Sequence, residues 1–252
     1  MIRALLWDVD GTLAETERDG HRVAFNQAFA AAGVPWRWSV ERYGALLAIS
    51  GGRERLLHDM DTQPAAPHGA AARDELARRL HALKNDCYAA LVARGAVRLR
   101  AGVAALLADC QCRGVALGIV TTTSRCNVAA LLARVLGAGW AARFAVTVCA
   151  EEAPRKKPDL QAYALALAAL GLASAEVVAL EDSPAGIAAA QRAGIAAVHT
   201  RSYYFPDVPL APLLAAGPSL GQTEGWHPAA ARAERVSLAQ LERWHCAPRR
   251  VS

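Results

Sequence analysis

The strongest constraint on the fold is a rhythm that sets in after residue 95: short runs rich in Val, Ile, Leu and Ala, each followed by a longer segment of helical period. Apolar runs of this length fit strands buried on both faces, and a helix between strands is the connection that parallel neighbours require. With the opening run, the pattern predicts strands over residues 4–9, 115–120, 144–149, 177–180 and 195–199 of one parallel sheet. The class is therefore α/β. Such sheets take their ligands at the carboxyl ends of the strands, so the residues just after each run are where chemistry is expected.

Two connecting helices are clearly punctuated. In KPDLQAYALALAALG, Leu160, Tyr163, Leu167 and Leu170 form a stripe that stops at Gly171; in DSPAGIAAAQRAG, Ser183 caps, Pro184 takes the first helical position and Gly194 ends the helix. The first two strands are separated by residues 14–95, where helical period dominates. Phe25, Phe29 and Ala32 keep i, i+4, i+7 spacing, and residues 71–91 carry a second long pattern. A crossover needs only about a dozen residues, so this interval, broken by GVPWRW and TQPAAPHG, has room for an inserted helical unit. Past Tyr203 the chain is punctuated by Pro and Gly, and a last helix is expected near residues 238–244.

Composition excludes several classes. The chain has 252 residues, 54% hydrophobic and 20% charged, which is globular rather than disordered. Its net charge of +5 is dispersed, with no Lys/Arg block or basic-aromatic patch, which argues against nucleic acid and suits small phosphorylated anions. Cys87, Cys110, Cys112, Cys126, Cys149 and Cys246 lack the paired spacing of a zinc site, and Cys110 and Cys112 are expected to point apart on one helix. The opening apolar run is interrupted by Asp8 too early for a signal peptide, so free thiols in a reducing cytoplasm are expected. No apolar run reaches the ~18 residues of a membrane span. His58, His68 and His81 lack coherent ligand spacing and read as solvated surface.

The run ends collect a definite chemistry. Asp8 and Asp10 in WDVDGT lie two apart, so strand alternation would aim both carboxylates the same way. Thr121, Thr122 and Thr123 follow the second run, Lys156 and Lys157 come after the third, and Glu181 and Asp182 close the fourth. Carboxylates this close repel unless a cation compensates, and Asp8, Asp10 and Asp182 at one sheet edge suit Mg²⁺, a hard ion that prefers oxygen. One aspartate could then attack a phosphoryl group while the other passes a proton to the leaving oxygen. Thr121 can hydrogen-bond the transferring oxygens, and Lys157 can balance their charge. Taken singly, D-x-D-G-T and Gly51-Gly52 are common turns, and Glu17 could simply favour a helix dipole.

DVDGTL from Asp8, GIVTTTS with Thr121, KKP from Lys156 and LEDSPAG around Glu181 and Asp182 together resemble the four ordered motifs of the haloacid dehalogenase superfamily. The resemblance implies a Rossmann-like parallel-sheet core with an α-helical cap inserted after the first strand: core 1–14 and 96–225, cap 15–95, and a C-terminal extension 226–252 with one helix. It implies that Asp8 is the nucleophile and Asp10 the acid/base. It implies a Mg²⁺ site built from Asp8, the Asp10 carbonyl and Asp182, with Glu181 acting through water. The lysine before proline, Lys157, is the family's lysine, leaving Lys156 as a solvated neighbour.

AETE, AFN, WRW, SGGRER, TTTS and RKKP are further similar to the CbbY subgroup, which includes xylulose-1,5-bisphosphate phosphatases of carbon-fixing bacteria. By that likeness Glu17, Gly51, Gly52, Arg53 and Arg55 reach the sugar and its distant phosphate, with Thr122 and Thr123 also at the substrate. ERDGH is one residue longer than the subgroup pattern before His21, and PDLQAY lacks a second proline after the lysine. The expected protein is a monomeric, cytoplasmic Mg²⁺-dependent phosphatase of a small phosphorylated sugar, with no nucleic-acid or membrane partner. A β-phosphoglucomutase-like mutase and a phosphoglycolate phosphatase are the enzymatic alternatives. A phospho-acceptor signalling module would be much shorter and carry no insert.

Overall fold

The computed structural model describes residues 1–207 and 212–247. Six parallel strands, β1 Ala4–Trp7, β2 Ala116–Val120, β3 Val146–Val148, β4 Val177–Glu181, β5 Ala196–Thr200 and β6 Ala215–Gly217, form one sheet in the order β3-β2-β1-β4-β5-β6. The chain runs outward from the central β1 in both directions, so the order reverses beside it, where a doubly wound sheet leaves a crevice for a ligand. Register is tight at this point: Trp7 pairs with Ile119 on one side and Leu180 on the other.

The strands carry near-continuous apolar runs because both faces are covered. Leu5, Trp7, Ile119, Val178 and Leu180 fall in one buried cluster, while Ala4, Leu6, Val120, Val177 and Ala179 fall in another, as a period of two requires. Four of the five predicted strands are trimmed at one or both ends. The third begins at Val146 rather than 144, since Trp140–Arg143 forms a short 3₁₀ turn that places Trp140 6.3 Å from Phe144. β6 was not anticipated; three residues, AAG, are too few to show a period.

The interval after β1 opens with a π-helical turn, Glu17–His21, and continues as α1 Arg22–Ala31, α2 Val40–Leu46, α3 Gly52–Asp59 and α4 Ala70–Ala93. These helices enclose a third apolar cluster of Phe25, Phe29, Trp36, Trp38, Tyr43, Leu46, Leu56, Met60, Ala77 and Leu80. The AFN and WRW motifs serve this cluster. The Asn26 amide both donates to Trp38 O at 3.0 Å and accepts from Trp38 N at 2.8 Å, while the Trp38 indole donates to buried Asp59 at 2.6 Å. The end of α4 leaves the cluster, and Tyr88, Leu91 and Val92 pack with the sheet.

After the insert come α5 Val103–Cys112, α6 Arg125–Leu136, α7 Gln161–Leu170, α8 Pro184–Arg192 and α9 Leu238–Cys246. Residues of α5, α6 and α9 join the first cluster, and residues of α7 and α8 join the second. Two predicted ends hold: Gly171 closes α7 in a left-handed conformation, and the Ser183 hydroxyl caps α8 by accepting from Gly186 N. The predicted face of α7 shifts. Ala162, Tyr163 and Ala166 are buried while Leu160 is 38% exposed, because small residues let the helix approach the sheet closely. Cys110 is buried and Cys112 exposed, as expected of one helix. α9 is anchored by Arg235, which donates twice to Asp109, and by Trp244 5.1 Å from Trp226; residues 248–252 of the expected extension lie outside the described residues. Among the described residues no helix is long and apolar enough to cross a membrane.

Phe29 is fully buried against Trp36 and Trp38. Phe29→Ala is expected to destabilise the insert by about 3–5 kcal/mol, seen as a lower denaturant midpoint in tryptophan fluorescence.

Candidate functional site

β1 stops at Trp7 because the chain turns sharply there. Gly11 has φ +79°, and a Cβ on it would collide with the Asp182 carboxylate, so only glycine lets that carboxylate close over the turn. The strand-alternation reading of Asp8 and Asp10 is therefore corrected: both lie beyond the strand, and each carboxylate is held by its own partners. The ends of β1, β2 and β4 and the loop after β3 meet the insert around a cavity of about 580 Å³. Asp8, Asp10, Glu17, Gly51, Gly52, Arg53, Arg55, Thr121, Thr122, Thr123, Lys157 and Asp182 all line it. Glu181 lies beneath, fully buried.

Asp8, Glu181 and Asp182 bring carboxylate oxygens within 4.8 Å of one another. Lys157 Nζ donates to Asp8 at 2.8 Å, Glu181 at 2.6 Å and Val120 O at 2.8 Å, and the Tyr163 hydroxyl donates to Glu181 at 2.5 Å. Burial pushes the Asp8 and Asp182 carboxyls up, Asp182 further because Asp8 is beside it. Burial lowers Lys157, but Asp8 and Glu181 outweigh it and hold the ammonium charged. One ammonium is short of three carboxylates, and unit charges 4.8 Å apart repel by about 3 kcal/mol at an effective dielectric of ~20. Glu181 Oε2 is buried without a hydrogen-bond partner. An all-oxygen cluster with excess negative charge and an unused oxygen fits a hard divalent cation.

Asp10 is treated differently. Its Oδ1 accepts from Thr16 at 2.5 Å and faces His21 Nε2 at 2.9 Å, and its Oδ2 accepts from the Thr123 hydroxyl. Burial raises this carboxyl, but His21 and the two hydroxyls hold it well below the usual carboxylate range. ERDGH is wound into the π-helical turn, where His21 N reaches Thr16 O, and this brings Thr16 and His21 together on Asp10. The sequence did not mark His21, because the π-helical turn that carries it to Asp10 is a feature of backbone winding.

The insert supplies the opposite wall. Glu17, in the first turn of the π-helical segment, accepts from the Tyr43 hydroxyl at 2.5 Å. Gly51 has φ +99°, and the space over its Cα is filled by Glu54 and Lys156, whose ammonium donates to Glu54 at 2.5 Å. Lys156 is thus paired and lines the cavity, which corrects its assignment as a solvated neighbour. Arg55 is buried and committed to Leu46 O, Ile49 O and the Tyr43 hydroxyl, so it braces this wall; Arg53 pairs with Asp74. His81 also lines the cavity, and burial and then Lys84 lower it to about 4, which corrects the surface reading and makes it a neutral imidazole. Lys84, unforeseen in the sequence, is buried over the Phe25 and Tyr88 rings at 5.4 and 5.3 Å and is lowered by burial to about 8. It sat unmarked inside a long helical pattern, where a lysine ordinarily faces water.

A family model described as haloacid dehalogenase-like hydrolase matches residues 2–194. Protein CbbY of Rhodobacter capsulatus is 42% identical over 203 residues, covering 81% of this chain and 87% of that protein. The crystal structure of CbbY from Rhodobacter sphaeroides in complex with phosphate superposes with a TM-score of 0.84 at 36% identity, covering 96% of this chain and all of that one. A mutant of the same protein in complex with xylulose-(1,5)bisphosphate gives 0.83 at 36% identity, covering 96% and 99%. With the motif residues gathered at one sheet edge and this likeness over most of its length, the chain is an enzyme of the haloacid dehalogenase-like hydrolase family, on its CbbY branch.

Proposed function

We propose that this hydrolase is a Mg²⁺-dependent sugar-bisphosphate phosphatase that converts xylulose 1,5-bisphosphate to xylulose 5-phosphate and phosphate. The observation that carries it is the two-ended cavity: buried carboxylates with Lys157 at the sheet, and cationic side chains, Lys84 and Arg53 among them, from the insert. A bisphosphate has an anion for each end. The xylulose bisphosphate held by the related CbbY mutant supports the choice of sugar. The core of residues 1–14 and 96–225 then performs the chemistry and the cap of residues 15–95 selects the substrate, in a monomeric, cytoplasmic enzyme.

Asp8, Asp182, the Asp10 carbonyl and, through water, Glu181 would hold Mg²⁺, which when bound offsets the carboxylates and polarises a phosphoryl oxygen. The Asp8 carboxylate attacks phosphorus, the bond to the sugar oxygen breaks, and an aspartyl-phosphate forms. Lys157, fixed between Asp8 and Glu181, orients the nucleophile and balances phosphoryl charge, while Thr121 hydrogen-bonds a phosphoryl oxygen. Asp10 acts as acid/base together with His21, whose Nε2 lies 2.9 Å from it: a proton held between the two goes to the departing sugar oxygen, and one is taken back from the water that releases phosphate. Glu17 meets the sugar hydroxyls, with Thr122 and Thr123 alongside. Gly51, Gly52 and Arg53 meet the distal phosphate with Lys84, on a wall braced by Arg55.

Phosphate release is to be measured in parallel from xylulose 1,5-bisphosphate, ribulose 1,5-bisphosphate, 2-phosphoglycolate and β-glucose 1-phosphate. The first is expected to give the highest kcat/KM. No release from any of them overturns the proposal, and conversion of β-glucose 1-phosphate to the 6-phosphate without free phosphate identifies a mutase. Asp8→Asn is expected to lower turnover by roughly a thousand-fold or more in the same assay. Removal of divalent cations with EDTA should abolish phosphate release, and added Mg²⁺ should restore it. Because Lys84 loses its charge as pH rises through about 8, kcat/KM for the bisphosphate should fall above that pH. Lys84→Met should flatten that limb of the pH profile.

A further inference from the structure

The segment that returns from the insert to the sheet carries Arg100, which is largely buried. Its Nη1 donates to Gly11 O, to Thr200 O at 3.2 Å and to Thr200 Oγ1 at 3.1 Å. Its Nη2 donates to Arg201 O and to Pro218 O at 3.1 Å, and its Nε faces Glu15 at 3.9 Å. A guanidinium has five N–H donors in a fixed plane, and here that plane joins the turn after β1 to the ends of β5 and β6. Its own backbone is fixed as well: Arg100 N donates to Leu13 O at 2.9 Å, and the preceding Leu99 bridges Ala14. The two strands of chain that enter and leave the insert are thereby tied to each other beside the guanidinium.

Gly11 matters because of what lies over it. The Asp182 carboxylate occupies the space a Cβ would take, so the position of the Gly11 peptide decides how far Asp182 can move toward Asp8. Asp10, whose carbonyl adjoins the same Cα, moves with it. No other described side chain donates to Gly11 O, and the backbone hydrogen bonds of this turn hold its other groups: Gly11 N to Ala14 O at 2.8 Å and Leu13 N to Val9 O at 3.0 Å.

We infer that Arg100 is a positioning residue for the divalent-cation site: by holding the Gly11 peptide against the ends of β5 and β6 it sets the spacing of Asp8, the Asp10 carbonyl and Asp182. The inference rests on the proposal that these oxygens bind a cation. Arg100 touches neither substrate nor cation and acts only through the turn. A lysine could reach some of the same acceptors but offers three donors on a point charge and cannot span them all.

The test measures Mn²⁺ binding by electron paramagnetic resonance of the free ion, using full-length wild type, Arg100→Lys, Arg100→Met and Asp182→Asn, with affinity expressed per folded molecule from circular dichroism. Arg100→Met is expected to weaken Mn²⁺ binding by about 10–100-fold, the range for residues that orient metal ligands. Arg100→Lys should fall between it and wild type, and its phosphatase activity at limiting Mg²⁺ should recover as Mg²⁺ is raised. A purely structural role would lower the melting temperature and leave the affinity of the folded molecules unchanged, which would overturn the inference. If Arg100→Met does not fold, wild-type affinity in Arg100→Lys overturns it equally. If wild type and Asp182→Asn both fail to bind Mn²⁺, the cation proposal falls and takes this inference with it; if wild type binds and the Arg100 variants match it, only this inference falls.

Discussion

Three carboxylates buried at the end of a parallel sheet, with one ammonium among them, are the constraint from which the rest of this structure follows. Asp8, Glu181 and Asp182 are buried where water screens them poorly, and Lys157 bonds only two of the three. Carboxylates held this close relieve their repulsion by taking up a proton, as the raised Asp8 and Asp182 show, or by binding a cation, and the surrounding elements leave them little room to separate. The central place of β1, paired on both sides in register, and the absence of a Cβ at Gly11 provide that confinement. The Tyr163 hydroxyl provides more from α7, by way of Glu181.

The neighbouring aspartate shows how environment gives two similar side chains different properties. Asp8 faces an ammonium and two carboxylates, and burial dominates it; at Asp10 burial is outweighed by the charge of His21 together with hydrogen bonds from that imidazole and two hydroxyls. The donors to Asp10 come from the π-helical turn and from the loop after β2, so this carboxylate sits where insert and sheet meet. Arg100 ties the same junction from behind, beneath the turn.

Much of this was legible in the sequence. The strands could be read from runs such as ALLW and VVALE because burial on both faces leaves no polar positions. The motif residues could be read because phosphoryl chemistry needs carboxylate, hydroxyl and lysine at strand ends, and each follows a visible run. What was read differently depended on partners far along the chain. Lys156 looked solvated until Glu54, 102 residues away, was found bonded to it. Gly51, which lines the cavity, also makes room for that pair, a second role that only the fold reveals. Arg55, which lines the cavity, is also held by the Leu46 and Ile49 carbonyls of its own wall.

The sequence by itself determined the parallel α/β class, the helical insert after the first strand and the set of residues at the strand ends. Those follow from local periodicity and from side-chain chemistry, both written in consecutive residues. Tertiary structure alone decided that Lys84 and His81 turn inward, that His21 reaches Asp10 through a π-helical turn, and that Arg100 grips Gly11 from 89 residues away. Such placements depend on which helix face meets the cavity and on how a short turn is wound, and neither leaves a periodic mark in the chain.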